Sequence, residues 1–268
     1  MRIVNKEALS MTQRAQSSEM QFSKDELISL NRKFETKHPI KVLEWMNESF
    51  PVGEIAMATG FGAEGVALID MLASVNKNIP IFYLDTDVLF PETYELRDRL
   101  EEKYQIRFIR YATPISLDQQ AELHGANLWE HDPDLCCNIR KVEPLHEALK
   151  NYAGWITAIR REQSPFRAKA GIVELDKKFD LLKINPLAGW TKKDVWNYIT
   201  DNDIPYNPLY DVGYASIGCT HCTTSVAAGE DERAGRWRGF QKKECGLHLA
   251  GSSVVSKSDS FAQEWNGR

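Results

Sequence analysis

Five cysteines stand at positions 136, 137, 219, 222 and 245: an adjacent pair, a pair two residues apart and one alone. An odd number cannot be consumed in internal disulfides, and the spacing reads as four ligands plus one free thiol. Four thiolates can hold a tetrahedral zinc or an iron–sulfur cluster. The side chains of adjacent residues diverge, which suits separate corners of a cluster better than one metal atom. Cys136 and Cys137 therefore favour a cluster, with zinc left open. Buried, unliganded cysteines would explain one or two of these thiols, not four. His221, between Cys219 and Cys222, could ligate but more naturally fills the turn.

Cys245 follows a cationic stretch. Residues 233–243 hold five basic side chains, among them Arg233 and Arg236, and no acidic one. Such surroundings favour a thiolate nucleophile and attract anions; a solvated basic tail with an incidental cysteine is the plainer reading. Arg160, Arg161 and Arg167 form a second cationic group. Guanidinium offers a planar fork of donors for phosphate or sulfate oxygens, against which stands ordinary ion pairing. The loop Thr59-Gly60-Phe61-Gly62-Ala63-Glu64-Gly65 lies between a strand and a helix, where backbone N–H groups can approach a phosphate. It lacks both the GK[ST] of a Walker A motif and the GxGxxG pattern, so a plain turn is equally compatible. Asp85, in Leu84-Asp85-Thr86-Asp87, sits where a carboxylate can take a ribose hydroxyl or merely cap a turn.

These residues need a frame. Apolar runs at 54–59, 79–84, 106–111, 154–159 and 181–184 read as strands. Helical periodicity covers 65–73, 92–103 (started by Pro91), 136–152 and 191–201, the last with Thr191 and Asp194 as a capping box. Strand–helix alternation predicts an α/β fold with a mostly parallel central sheet flanked by helices. The glycine loop, Asp85 and the arginines all fall at the carboxyl ends of strands, where such sheets bind ligands. Trp190, Trp196 and Tyr198 lie at helix-compatible positions and read as core. The expected organisation is a helical lead-in over 1–35, a nucleotide- and cluster-binding domain over 36–228 and a tail over 229–268 that carries Cys245.

The chain has 268 residues, 43% hydrophobic and 26% charged, with net charge −5. This excludes a mainly disordered chain, a collagen-like fibre and a small disulfide scaffold, and argues against a general nucleic-acid coat. No signal-peptide core or membrane-length apolar run is present, so no membrane partner and a cytoplasmic location are expected.

Taken in order, LDTDVLFPET, the Cys136-Cys137 pair, RREQSP, CTHC and KKECGLH resemble the thioredoxin-dependent adenylyl-sulfate and phosphoadenylyl-sulfate reductases, from about residue 52 to residue 248. The resemblance implies a fold like that of the PP-loop pyrophosphatases, and assimilatory sulfate reduction. Its four-cysteine branch implies one 4Fe-4S cluster per subunit on Cys136, Cys137, Cys219 and Cys222, and adenosine 5′-phosphosulfate as substrate; the 3′-phosphorylated nucleotide is the alternative or additional one. It implies Cys245 as the nucleophile, an S-sulfocysteine intermediate, and thioredoxin or glutaredoxin as reductant. Lys141, Arg233, Arg236 and His248 match substrate-contacting positions of the family; Thr59, Gly60, Gly62, Asp85, Arg160, Arg161 and Arg167 are candidates by location. The cluster's implied role is structural and electrostatic, beside Lys141. The sequence departs from the family in its phosphate loop, where Phe61 and Gly65 replace a serine and an aspartate; contacts there should come from backbone N–H groups, with Thr59 supplying a hydroxyl. A PP-loop ligase or sulfurtransferase lacks its SGGxDS loop here, and a metal-binding or redox-sensing module leaves Cys245 and the arginines unexplained. The oligomeric state, a homo-oligomer included, stays open.

Overall fold

Successive strand residues point to opposite sides of a sheet, and this sequence makes both sides apolar. Ile55, Met57, Ile81, Tyr83, Ile156, Leu182 and Ile184 join one buried cluster, whereas Ala56, Phe82 and Trp155 join another with Leu145, Ala148 and Leu149. A strand buried on both faces belongs inside a sheet covered by helices on each side. The structure, a computed structural model, describes residues 22–242 and 244–248. Of the expected lead-in, residues 1–21 lie outside the described residues, as do Lys243 of the basic stretch and the tail beyond residue 248.

The elements run α1 (Lys24–Phe34), α2 (Pro39–Ser49), β1 (Ile55–Thr59), α3 (Ala63–Val75), β2 (Ile81–Asp85), α4 (Pro91–Tyr104), β3 (Phe108–Ala112) and α5 (Leu117–His124). There follow α6 (Leu128–His131), α7 (Pro133–Cys137), a π-helical turn (Asn138–Val142), α8 (Glu143–Leu149), β4 (Gly154–Ile156), β5 (Val173–Asp176), β6 (Leu181–Ile184) and α9 (Lys192–Asp201). The six strands form one sheet in the order β3-β2-β1-β4-β6-β5. Every neighbouring pair is parallel except β5 with β6. The α/β fold with a mostly parallel sheet is thus the one expected. Chain order reverses between β1 and β4, which opens a crevice at their carboxyl ends, the usual ligand site of such sheets.

Three expectations change. The helix expected over 136–152 is broken into α7, a π turn and α8. Pro144 has no N–H to give to the carbonyl of Arg140, and the turn widens instead, with the Glu143 N–H reaching the Asn138 carbonyl five residues back. The strand expected over 154–159 ends at Ile156, so Thr157 to Ile159 are free to line a cavity. The edge strand β5 was not read from the sequence, because its four residues give too short an alternation to stand out. The Thr191–Asp194 capping box on α9 is present as expected. Trp190, Trp196 and Tyr198 pack against the main core. Among the described residues no helix is long and apolar enough to cross a membrane.

Candidate active site

A cavity of about 250 Å³ opens at the strand-order reversal. Its floor is the β1–α3 loop. Thr59, Gly60, Gly62, Glu64 and Gly65 line it, together with Leu84 from β2 and Thr157, Ala158 and Ile159 after β4. The loop turns inward at Phe61, which adopts a left-handed φ of 56° and buries its ring against Tyr83 and Phe108. The aromatic side chain is thereby core, and Phe61 is not among the residues that line the cavity. The Thr59 hydroxyl accepts from the Phe61 N–H at 3.1 Å. A Cβ on Gly65 would stand 2.8 Å from that hydroxyl, so the glycine makes room for Thr59. At the N-terminus of α3, the Ala63 N–H donates to the Tyr210 hydroxyl at 2.9 Å. Tyr210 lies far along the chain, and its role here was not legible in the sequence.

The opposite wall is cationic and comes largely from the tail. Lys141, Arg167, Arg233, Arg236, Cys245 and His248 all line the cavity. Arg236 is buried and lies 4.6 Å above the Trp237 ring, with Nη1 donating to Ser216 Oγ at 3.3 Å and to the Ile217 carbonyl. Gly218 is required beside it, since a Cβ there would fall 2.3 Å from the guanidinium. His248 stacks on Trp155, with ring centroids 5.6 Å apart and planes 14° apart. Its buried Nδ1 has no hydrogen-bond partner among the described residues. Burial, then the positive charges of Arg167, Lys183, Arg233 and Lys178, hold this imidazole well below its ordinary pKa of 6.5.

A neutral His248 fixes a pH effect. The unfolded chain takes up a proton near pH 6.5 that the folded chain refuses. Stability therefore rises with pH through that interval and levels off above about 6.5. We expect the melting temperature to fall as pH drops from 7 towards 5.5, and the His248→Asn variant to show a shallower slope over that range. Parallel slopes in the two proteins would contradict this assignment.

Three other candidates by location, Asp85, Arg160 and Arg161, are placed outside the residues that line the cavity. Both Asp85 oxygens are engaged within the protein. Oδ1 accepts from the Asp87 N–H at 2.9 Å and the Tyr94 hydroxyl at 2.7 Å, and Oδ2 from Arg110 Nε at 2.7 Å. The turn-capping alternative therefore describes this carboxylate. Arg160 is fully buried, donating to Glu64 at 2.8 Å and Glu232 at 3.3 Å; it braces two cavity-lining carboxylates. Arg161 turns to the other side, where it pairs with Glu35 and donates to the Ala170 carbonyl at 2.8 Å.

The four remaining cysteines gather beside Lys141. All are free thiols, and three are buried. Cys219 and Cys222 lie on a short 3-10 turn, tied to the 88–89 segment through a bridge from Leu89 to Cys219, and to the tail through the Trp237 N–H and the Cys222 carbonyl. Cys136 and Cys137 end α7, just before the π turn. Lys242 reaches from the tail to Asp134 on that helix. Burial pushes the Cys136 thiol up to about 12 and the Cys222 thiol up to about 11, and the charges of the neighbouring cysteines add to both. Cys137 is raised by burial as well. Burial would also raise Cys219, but the Lys141 ammonium, the Thr86 hydroxyl 3.3 Å from its sulfur, and Arg236 together draw it down. Three thiols whose deprotonation is opposed by burial, beside a fourth that is drawn towards its thiolate, suit a bound group that brings its own positive charge. Among the described residues no three His, Cys, Asp or Glu side chains converge as a site for one metal ion. His221 stacks face to face on Trp129 at 4.0 Å and fills the turn.

Comparison with known proteins agrees with this anatomy. The phosphoadenosine phosphosulfate reductase domain family matches residues 54–225. An adenosine 5′-phosphosulfate reductase of Lysinibacillus sphaericus is 48% identical over 210 residues, covering 78% of this chain and 90% of that protein. The crystal structure of phosphoadenylyl-sulfate reductase from Candida auris, a phosphate complex, superposes with a TM-score of 0.68 at 32% identity, covering 77% of this chain and 99% of the other. The FMN adenylyltransferase of Candida glabrata, at 15% identity and a TM-score of 0.51, shares the fold alone. With the glycine loop, the cationic wall and the cysteine set all within the matched frame or directly after it, this chain belongs to the phosphoadenosine phosphosulfate reductase family.

Proposed function

We propose that this protein reduces adenosine 5′-phosphosulfate to sulfite and AMP. The observation that carries the reading is the meeting of one thiol, Cys245, with Lys141, Arg233, Arg236 and His248 around a cavity floored by the β1–α3 loop. The nucleotide's phosphate and sulfate would take the cationic wall, and the backbone N–H groups after Thr59 would face the rest of the anion. The Cys245 thiolate attacks the sulfur of the sulfonyl group. The bond from that sulfur to the phosphate oxygen breaks, and its electron pair leaves on AMP. Splitting the reduction through an enzyme S-sulfocysteine replaces one hard displacement by two easier ones. Charge grows on the departing phosphate, where fixed guanidinium groups stabilise the transition state more than the ground state. A thiolate of thioredoxin, or of glutaredoxin, then attacks the Cys245 sulfur and expels sulfite. The reductant's second thiol closes its own disulfide and returns Cys245 as the thiol.

Cys136, Cys137, Cys219 and Cys222 are the residues that would hold a 4Fe-4S cluster, one per subunit. Thiolates that ligate different iron atoms need not converge on one point, unlike the ligands of zinc at about 2.3 Å. When bound, the group supplies charge and rigidity next to Lys141. The substrate without the 3′-phosphate is favoured because the relative at 48% identity is named for it; the Candida auris protein, named for the 3′-phosphorylated form, is more distant at 32%.

The test is chemical trapping. Incubation with adenosine 5′-phosphosulfate and no reductant should add one sulfonate mass to the peptide bearing Cys245, and added thioredoxin should remove it with release of sulfite. A peptide left unmodified without reductant, in protein that turns over once thioredoxin is added, would sink the covalent step.

A further inference from the structure

The residue before the nucleophile is acidic, directly after a stretch, residues 233–243, that holds five basic side chains and no acidic one. Glu244 is buried, with its side chain only 3% exposed. Its Oε1 accepts from Arg167 Nε at 3.2 Å and Ser164 Oγ at 3.1 Å. Its Oε2 accepts from Arg167 Nη2 at 3.0 Å and Arg233 Nη2 at 3.1 Å. Both arginines line the cavity, and both are themselves largely buried. The tail thus inserts its own carboxylate between two cations at the cavity wall, directly beside the thiol.

The structure assigns to Glu244 the role of the positioning residue that seats Cys245 at the cavity. This rests on the reading of Cys245 as nucleophile. The geometry explains why one residue could set the position of the thiol. The peptide from Glu244 to Cys245 leaves little slack, so a carboxylate fixed at several points fixes its neighbour too. The tail has other holds. Lys242 pairs with Asp134, Lys178 donates to the Gly246 carbonyl at 2.9 Å, Gly246 itself adopts a φ of +85°, and Leu247 and His248 pack on the Trp155 cluster. The buried carboxylate shared by two guanidinium groups is the one at the residue next to the thiol, and its loss removes the charge that the two share. It also neutralises part of the wall while the cavity is empty, so Arg167 and Arg233 are held in place before an anion arrives.

Three readouts on the holoprotein test this: the rate at which iodoacetamide alkylates Cys245, followed by peptide mass without substrate; AMP affinity; and kcat. Glu244→Gln should speed alkylation and lower kcat by at least about tenfold, with AMP binding not weakened, while Glu244→Asp should lie between it and wild type. Wild-type alkylation and kcat in Glu244→Gln would overturn the role. Equal loss in the Gln and Asp variants together with loss of AMP binding would also overturn it, since that is general damage to the site. The alkylation readout does not depend on the reaction proposed above. If Cys245 proved not to be the nucleophile, trapping would fail while the alkylation difference would persist.

Discussion

Replacing Cys245 by serine is expected to lower sulfite release by on the order of 10⁴-fold or more, the scale seen when a nucleophile that works in concert with its surroundings is removed. A serine hydroxyl is a poor nucleophile at neutral pH without an adjacent base. The only imidazole on the cavity wall, among the described residues, is that of His248, stacked on Trp155 and surrounded by cations. AMP affinity should be unchanged, because Lys141, Arg236 and the β1–α3 loop are all retained in the variant. The iron content should also be unchanged, because Cys245 lies outside the four-cysteine set. The measurements are single-turnover sulfite release, AMP titration and metal analysis on the same preparation. Retained turnover would remove Cys245 as nucleophile.

The second large effect concerns the four-cysteine set. Protein purified without air should be brown and carry about four iron and four sulfide per chain. The variant Cys219→Ala should fall close to zero on both counts. Cys219 is the member of the set that is drawn towards its thiolate, by Lys141, Thr86 and Arg236, against the pull of burial. Its loss removes the ligand most ready to bind and strands Lys141 without its nearest counter-charge. Thermal stability should fall in the same variant, since a ligand group that binds only the folded chain stabilises it. Stoichiometric zinc with no iron in the wild-type protein would overturn the cluster, while leaving the Cys245 chemistry to be judged by trapping alone.

That Cys245 stands apart from the other four cysteines was legible from spacing, and it is the one of the five that lines the cavity. The parallel sheet was legible from apolar runs that alternate with helical periodicity. The position of the binding crevice followed from the strand ends. What the sequence left open were partners distant in the chain. Asp85 stands at the end of a strand as a ribose-binding carboxylate would, but Tyr94 and Arg110 take its oxygens. The Arg160-Arg161 pair reads as one cationic group, yet Arg160 is extended and Arg161 opens a 3-10 turn, and the two side chains take different partners. One is buried between Glu64 and Glu232, and the other reaches Glu35. Phe61 reads as a departure in a phosphate loop, but its left-handed backbone turns the ring into the core.

By itself, then, the sequence determined the fold class, the grouping of the cysteines into two pairs and one alone, and the cationic character of the stretch before Cys245, since all three depend on residue type and local spacing. Only the tertiary structure decided which cations face the cavity and which are consumed in buried ion pairs. The same holds for Glu244, an unremarked acid in a basic stretch that becomes the anchor of the thiol. A side chain's charge is written in the sequence, but its availability depends on what lies within about 3 Å of it, and for Arg160, Asp85 and Glu244 those neighbours come from elsewhere in the chain.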